Sequence, residues 1–231
     1  MLDYREDVAG KNVKSDSTSF NMVCRATGQI DWKHIRCSIT GIAPLYTGID
    51  REKWKRSGNI VQKNDLKYAW YRVEGRMGYI VNQWLVLYTG LRWSEFDQKR
   101  DRFEAAEEAE SMGVKERVFD FAVPGGICGE TLLTDTFRLT YDMRYYYSIR
   151  NKVKNSYFED LTIRNIDARS MAAEIGLKWQ TSDYLSISIL SQWEMLYRDE
   201  SPWEDAGDYE VKYPKNATRM LMFSVTALWQ F

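Results

Sequence analysis

The chain has 231 residues and 27.2 kDa, a length at which one domain is the default and a single all-β barrel is ordinary. Lys and Arg total 32 against 33 Asp and Glu, and this near-zero net charge argues against a nucleic-acid-binding protein, which normally carries a basic excess. Hydrophobic residues make up 44% of the chain and charged residues 28%, which excludes a disordered protein. No apolar run reaches the ~18 to 20 residues that a transmembrane helix needs, whereas a membrane β-barrel hides its hydrophobicity in alternation.

Nine segments alternate between apolar and polar residues, the period of two that predicts a β-strand with one apolar face. The pattern is clearest in 136–150, where it continues without a fault from Phe137 to Ile149 on the apolar face. A strand of this length exceeds the usual ~5 to 6 residues and suits a tilted, membrane-crossing strand of ~9 to 11 residues. In chain order the predicted strands cover 18–27, 31–46, 68–82, 84–96, 115–123, 136–150, 171–180, 184–198 and 219–231.

The connections between the predicted strands alternate in length, as they do in outer-membrane barrels with tight turns at one end and long loops at the other. The connections near 82–84 and 181–183 are short, and a helix-like stretch at 104–110 lies in a long one. The last residue, Phe231, is an aromatic at the end of an apolar strand, a common feature of such barrels. Four long polar segments are expected as outer loops, at 47–66, 98–114, 151–168 and 199–216.

These patterns predict an all-β fold, an antiparallel up-and-down transmembrane β-barrel that occupies residues 1–231 as a single domain. Bacterial single-chain barrels have an even number of strands, so we expect a further strand near residues 2–9 and ten strands in all, with eight as the second count. No apolar leader is visible at the start of the sequence, and the barrel pattern favours a leader that has been removed. We expect the protein in the bacterial outer membrane.

A soluble β-barrel or sandwich would also alternate, with its apolar face turned into a core. Three features favour the membrane instead. The apolar face is rich in Tyr and Trp near the strand ends, as in the aromatic girdles of membrane barrels. The strands are unusually long, and the polar face mixes charges of both signs with Ser, Thr and Gln, as the lumen of a barrel would.

Eleven charged residues fall on the polar face and are predicted to line the lumen. Barrels of eight to ten strands have interiors that side chains can largely fill, and a buried charge is costly unless it is paired. One interpretation is therefore a salt-bridged interior, and the other is a narrow charged pore or a ligand site. The predicted lumen charges are Arg72, Glu74, Arg76, Arg92, Arg138, Asp142, Arg144, Glu174, Lys178, Glu194 and Arg198.

Cysteine and histidine offer little catalytic or metal-binding chemistry. Cys24 and Cys37 could pair if their strands are neighbours, but an odd count of three with Cys128 is no disulfide framework, and free thiols are the alternative. His34 and Cys37 are three positions apart, and such positions point to opposite faces of a strand, which disfavours a metal site. The glycine-rich segment 124–129 lacks the Lys-Ser/Thr of a phosphate loop and is expected as a turn. No cofactor is predicted.

Several segments, in their order along the chain, resemble the omptin family of ten-stranded outer-membrane proteases. Segment 29–33 (Gln-Ile-Asp-Trp-Lys) is similar to the start of an early omptin strand, and 67–96 resembles a pair of omptin strands. The entry to the next strand at 115–119 and the last three strands follow the same order. The resemblance implies a ten-stranded barrel.

The omptin active site is not matched by this sequence. The resemblance implies acidic residues on outer loops and an Asp–His pair that activates water, but the single histidine, His34, is not in the matching late strand. Segment 147–160 contains no histidine, and 33–67 is too short for that family's acidic loop beside a full pair of strands. No catalytic residue is carried over, because general-base catalysis without the imidazole needs a replacement that is not visible.

The sequence therefore favours a non-enzymatic structural or binding component of the cell envelope that acts through its loops or in a partner complex. The alternatives are an omptin-like protease with a rearranged site and a narrow pore. Expected partners are outer-membrane lipid and lipopolysaccharide, the barrel assembly machinery through the last strand ending at Phe231, and a possible protein partner. The acidic segment 199–210 is a solvated loop or a site for a cation or a basic partner.

Overall fold

The computed structural model describes residues 2–8, 13–19, 21–82, 84–105, 114–156, 158–164, 166–205 and 210–230. Within these ranges the regular structure is all β, and no helix there is long and apolar enough to cross a membrane. In chain order the strands are β1 Leu2–Val8, β2 Val13–Ser19, β3 Asn21–Trp32, β4 Ile35–Thr47, β5 Ile49–Arg56, β6 Asn59–Asn82, β7 Leu85–Ala105, β8 Val114–Leu132, β9 Phe137–Asn155, β10 Phe158–Arg164, β11 Ala168–Gln180, β12 Leu185–Arg198, β13 Glu204–Asp205, β14 Glu210–Val211 and β15 Lys215–Gln230.

Hydrogen-bonded neighbours close the sheet into a barrel. The turns at 33–34, 133–136 and 181–184 are all at one end, which we call the inner end because tight turns face the periplasm in outer-membrane barrels. The opposite end, where the turn at 57–58 lies, is called the outer end. β2 leads into β3 and β4 into β5, so each of these pairs acts as one long strand that runs between the two ends.

The number of strands around the barrel differs between its two halves. In the outer half of the described chain the ring runs β1-β2-β5-β6-β7-β8-β9-β11-β12-β15 and back to β1, which makes ten strands. In the inner half β1 is missing from the ring, and β3 pairs directly with β15 in parallel through five residue pairs, from Arg25–Thr226 to Gln29–Gln230. The expected barrel is confirmed, and the further strand near residues 2–9 is β1, a short strand of the outer half.

The polarity of the wall inverts partway along each long strand, as β6 illustrates. Over 71–81 the apolar side chains face outward, with Met77 59% exposed, while Arg72 is buried in the lumen. Over 63–70 the apolar side chains face inward instead, with Trp70 buried, and charged side chains face out. The inner part of the wall is thus apolar outside and polar inside, as in a membrane barrel, whereas the outer part has the polarity of a soluble barrel.

The outward apolar stretch has the height of a membrane. The eleven residues of 71–81, at ~3.3 Å per residue and a tilt of ~40°, span about 25 Å, the height of the apolar band of outer-membrane barrels. Exposed aromatic side chains mark both edges of this band. Those at the outer edge include Tyr71, Trp93, Tyr145, Tyr147 and Trp193, and those at the inner edge include Trp32, Tyr79, Trp84, Phe137, Trp179, Tyr184 and Trp229.

The segments expected as long outer loops contain much strand. β5 and the start of β6 occupy most of 47–66, β7 continues into 98–105, and β9 and β10 cover most of 151–164. The segment 199–216 carries the short β13–β14 hairpin and the start of β15. These sequences are polar because their outward faces meet water above the membrane, and alternation survives there with its sense reversed.

Three local expectations need correction or fall outside the described residues. The first hairpin turns at 33–34, with Lys33 in the left-handed region (φ 55°), so one predicted strand had begun before the turn. The glycine-rich segment 124–129 lies inside β8 rather than in a turn. A Cβ at Gly129 would overlap the carbonyl of Trp84, so glycine permits a close approach of backbones there. Of the helix-like stretch at 104–110, the first two residues end β7 and the rest lie outside the described residues.

Candidate functional site

Eight of the eleven predicted lumen charges meet in one charged layer across the barrel, at the height of the membrane. Strand alternation turns their side chains inward from β6, β7, β9, β11 and β12, and β3 and β8 supply further members. The eight predicted members are Arg72, Glu74, Arg76, Arg92, Asp142, Arg144, Glu174 and Glu194.

The outer side of the charged layer is organised around Glu194. Arg72 Nη2 donates to both carboxylate oxygens of Glu194, at 2.6 and 2.7 Å. Arg92 donates through Nη1 to Glu194 at 3.2 Å and through Nη2 to Asp120 at 2.9 Å. All four side chains are at most 3% exposed, so water screens these pairs very little.

The inner side of the layer is a chain of ion pairs centred on Asp142. Arg76 Nη1 and Arg144 Nη1 both donate to Asp142 Oδ2, at 2.5 and 2.9 Å. Arg144 reaches on to Glu174 at 3.4 Å, and Arg25 Nη1 donates to the same Glu174 carboxylate at 2.5 Å. Arg76 also donates to Glu74, which links this chain to the centre of the lumen.

Tyr146 joins the two sides of the charged layer. Its fully buried hydroxyl donates to Glu74 at 2.8 Å. The guanidinium of Arg92 lies 3.7 Å from the centre of the Tyr146 ring, and that of Arg72 lies 5.6 Å from it. The ring therefore fills the lumen between the two sets of ion pairs, with cation–π contacts to both arginines of the outer set.

The charged layer is electrically balanced. It contains five arginines and five carboxylates, and each carboxylate accepts from at least one arginine. A buried ion without a partner costs several kcal/mol, so this balance is what allows ten charges to share a lumen of this width. The ten members are Arg25, Arg72, Arg76, Arg92 and Arg144 with Glu74, Asp120, Asp142, Glu174 and Glu194.

The three remaining predicted charges lie elsewhere in the lumen. Arg138 and Lys178 meet on the two oxygens of Glu130 near the inner end, at 2.5 and 3.1 Å. Arg198 lies in the outer half, with its guanidinium 5.1 Å from the ring of Phe96. The predicted set of eleven thus divides into a layer of eight, an inner pair and one arginine of the outer half whose charge acts on Glu116.

The sequence prediction missed three members of these networks, Arg25, Asp120 and Glu130. Arg25 and Asp120 lie in the predicted strands 18–27 and 115–123, whose charges were not assigned to the lumen, and Glu130 follows the glycine-rich segment that was expected as a turn. The alternation of inward and outward side chains along their own strands could have identified them. Asp120, for example, lies at even spacing from Val118 and Ala122, which are both buried.

Above the charged layer, an apolar cluster fills the outer half of the barrel, where the wall has the polarity of a soluble protein. Its buried members are Ile42, Leu66, Tyr68, Trp70, Phe96, Val118, Val153, Ile163, Ile166, Leu196, Tyr213 and Met220. The described lumen is therefore closed twice, by ion pairs at membrane height and by apolar packing above it.

Two buried carboxylates of the outer half differ in their pKa. Burial by itself raises the pKa of Glu52, but the charge of Arg100, whose Nε donates at 2.9 Å, and a hydrogen bond from Asn64 outweigh it, so the pKa is lowered. Burial raises the pKa of Glu116 above the usual glutamate value, because its hydrogen bond from the Tyr213 hydroxyl at 3.2 Å and the charge of Arg100 compensate only in part. Both groups lie above the apolar band of the wall.

The single histidine and the three cysteines are not grouped into a metal site in the described structure. His34 lies in the inner turn, with its ring centroid 5.8 Å from that of Tyr79, far along the barrel from the outer end. Cys24 faces Ala43 across the β3–β4 ladder and Cys37 faces Ile30, so the two thiols are not neighbours, and all three cysteines are free. Among the residues described, no group of three or more His, Cys, Asp or Glu side chains is placed to hold a metal ion.

The outward apolar band, the aromatic girdles and the closed polar lumen define a transmembrane β-barrel of the outer-membrane class. Among solved structures, the outer membrane protease OmpT from Escherichia coli is similar with a TM-score of 0.59 at 8% sequence identity, over 99% of this chain and 92% of that one. At this identity the similarity shows a shared fold and nothing finer, so the outer-membrane barrel is confirmed and membership of the omptin family is not.

Two other outer-membrane barrels match with lower scores. They are the translocator domain of the autotransporter NalP from Neisseria meningitidis (TM-score 0.36, 10% identity, 100% of this chain and 85% of that one) and the β domain of the Bordetella autotransporter BrkA (TM-score 0.33, 11% identity, 98% and 93%). No family model matches the chain, and no curated protein matches it.

Proposed function

We propose that this chain is a non-enzymatic, non-conducting structural or binding component of the bacterial outer membrane, which acts through its outer half and its outward surface. The observation that carries the proposal is the double closure of the lumen by a charge-balanced layer and an apolar cluster. A closed interior leaves the strands above the membrane and the outward surface as the parts that meet other molecules.

The two alternatives each conflict with a feature of the described structure. An omptin-like protease needs a general base near the outer end, and the single histidine, His34, lies in the inner turn. A narrow pore needs a continuous water-filled path, and Tyr146 and its arginines fill the lumen at membrane height.

Lipopolysaccharide is the partner that the outward surface fits best. A basic belt lies at the outer edge of the apolar band on β9, β11 and β15, where phosphates of the outer leaflet would lie. Its members are exposed: Arg150, Lys152, Lys154, Arg169 and Arg219. Lys152 also lies 4.8 Å from the ring centre of Phe119, which holds this ammonium group at the interface.

Two further partners belong to the same proposal. The apolar outward face of β15, with Phe223 and Val225 exposed, is the surface we propose for recognition by the barrel assembly machinery. The terminal Phe231 that the sequence analysis assigned to this role lies outside the described residues. A protein partner would contact the rim, where Trp203, within the acidic segment 199–210, is 63% exposed.

The test is a reconstitution of the refolded chain in planar bilayers, together with a peptide-cleavage assay in micelles containing lipopolysaccharide. We expect no stepwise conductance and no cleavage above that of a boiled sample. Stepwise conductance would establish the pore, and cleavage would establish the rearranged protease.

The basic belt is tested separately by charge reversal. Lys152→Glu with Lys154→Glu should reduce the lipopolysaccharide retained through purification. Lys63→Glu with Lys67→Glu, which reverses two outward lysines beside Asp65, is the matched control. Equal loss in both double variants would contradict a specific belt.

A further inference from the structure

A cavity of about 140 Å³ lies in the lumen between the charged layer and the inner end. The inner members of the charged layer, Arg76, Asp142 and Glu174, form its outer wall, and Lys178 and Thr226 line its sides. The cavity lies next to the inner end of the barrel, where the turns are short, so it faces the inner side of the membrane. Its volume is several times the ~30 Å³ that a water molecule occupies in the liquid, which is room for one small ion.

The acceptor groups of this cavity are already engaged. Glu130 accepts from Arg138 through one oxygen and from Lys178 through the other. Both oxygens of Glu174 accept from Arg25. Asp142 Oδ1 accepts from the Tyr88 hydroxyl at 2.5 Å, and its Oδ2 accepts from two arginines.

The donor groups are not all engaged. Lys178 Nζ carries three N–H groups and contacts one carboxylate, at 3.1 Å, with its side chain only 6% exposed. Arg25 Nε and Thr226 Oγ1 are buried and have no hydrogen-bond partner among the described residues. A buried donor without an acceptor is costly, so the cavity is chemically incomplete without an acceptor inside it.

The lining carries more positive than negative side chains, which agrees with its surplus of hydrogen-bond donors. Four cations line the cavity, Arg25, Arg36, Arg76 and Lys178, against three carboxylates, Glu130, Asp142 and Glu174. Oxyanions offer several acceptor oxygens to donors on different walls, and Arg and Lys are the side chains that bind them.

We propose that this inner cavity is a binding site for a small oxyanion of the phosphate class, taken up from the inner side of the membrane. Lys178 supplies the main charge contact, and Arg25 and Thr226 supply donors from β3 and β15. The site is separate from the outer surface to which the function above is assigned, and it does not depend on that assignment.

Cys128 is a built-in reporter for this site, because it lines the cavity while Cys24 is exposed on the outward wall. The refolded full chain in micelles is treated with N-ethylmaleimide at constant ionic strength while inorganic phosphate is titrated. Labelling of each cysteine is read by peptide mass spectrometry. We expect phosphate to slow the labelling of Cys128 in a saturable manner and to leave Cys24 unchanged.

Lys178→Met should raise the half-saturating phosphate concentration about tenfold or more, since a charged hydrogen bond is lost. Lys63→Met, on the outward surface of β6, makes the same change in charge and should have no effect. Thr226→Val removes one hydroxyl from the cavity wall and should weaken the protection of Cys128 by phosphate. Faster gel migration of the unheated sample confirms that each variant is folded.

Three results would overturn the site. They are an absence of saturable protection in the folded wild-type chain, equal protection of Cys24, and an unchanged half-saturation in folded Lys178→Met. Acetate is the comparison anion, and protection by acetate as strong as that by phosphate would overturn the assignment to the phosphate class.

Discussion

Removing Glu194 tests whether the charged layer depends on its balance. In Glu194→Ala, Arg72 loses both hydrogen bonds to a carboxylate and Arg92 loses one of two carboxylate partners, while both guanidiniums stay at most 3% exposed. The layer then holds five cations and four anions. Breaking a buried pair from one side costs about 3–5 kcal/mol, because an uncompensated charge remains in the interior.

The double replacement Arg72→Met with Glu194→Met separates pairing from packing. It removes one charge of each sign and fills the space with apolar atoms, so the layer stays balanced at four against four. Replacing a buried pair by apolar side chains is often neutral or stabilising. We therefore expect the double variant to be more stable than Glu194→Ala by about 3 kcal/mol or more, because it avoids the cost of leaving one buried charge uncompensated.

The assay is urea unfolding of the refolded barrel in micelles, followed by tryptophan fluorescence and by the gel shift between unheated and boiled samples. Glu200→Ala is the control, because Glu200 pairs with Lys212 at 2.7 Å on the surface, with its side chain 44% exposed, and such pairs contribute about 0–1 kcal/mol. The reasoning is refuted if Glu194→Ala costs no more than Glu200→Ala, or if the double variant is less stable than the single one.

Three more predictions follow from the wall and the outer half. The pKa of Glu116 is raised in the folded barrel, so the folded state holds this proton more tightly than the unfolded chain does, and stability falls as pH rises from the usual glutamate value through the raised pKa. Glu116→Gln should remove that fall, and a variant less stable than wild type at pH 7 would contradict it. Val225→Arg puts a charge on the outward face of β15 midway across the apolar band and should lower the free energy of unfolding in urea by about 2–4 kcal/mol. Lys215→Arg, above the band, should leave it almost unchanged, and equal losses in the two variants would place the band elsewhere. Gly129→Val should prevent β8 from approaching Trp84 and abolish the heat-dependent gel shift, and a normal shift would show that the wall yields there.

Much of the fold was predictable from the sequence, because one face of every long strand must meet lipid. The alternation in 136–150 predicted β9, which begins at Phe137, and the same rule located the strands that became β6, β7, β11, β12 and β15. Alternation along those strands predicted the eleven charges on the lumen side. The same rule failed above the membrane, where the outward face of the strands meets water. Polar outward residues made 47–66 look like a loop, although β5 and the start of β6 occupy most of it.

The partners inside the lumen were beyond sequence reasoning. Arg72 and Glu194 are 122 residues apart, on strands that face each other across the barrel, and no local pattern connects them. Strand parity states that a side chain points inward but not at what height it meets another, which depends on the stagger of neighbouring strands. For this reason the sequence did not show that Arg25 pairs with Glu174 or that Asp120 pairs with Arg92.

The sequence by itself determined the class of protein, the inward or outward direction of most side chains, and the separation of its single histidine from the late strands. Only the tertiary structure decided that the described ring has ten strands in its outer half and nine in its inner half, that ion pairs and an apolar cluster fill the lumen at two levels, and that a cavity with surplus donors remains below the charged layer. The physical reason is that alternation is a property of one strand, whereas charge balance, closure and cavity are properties of the ring that the strands form together.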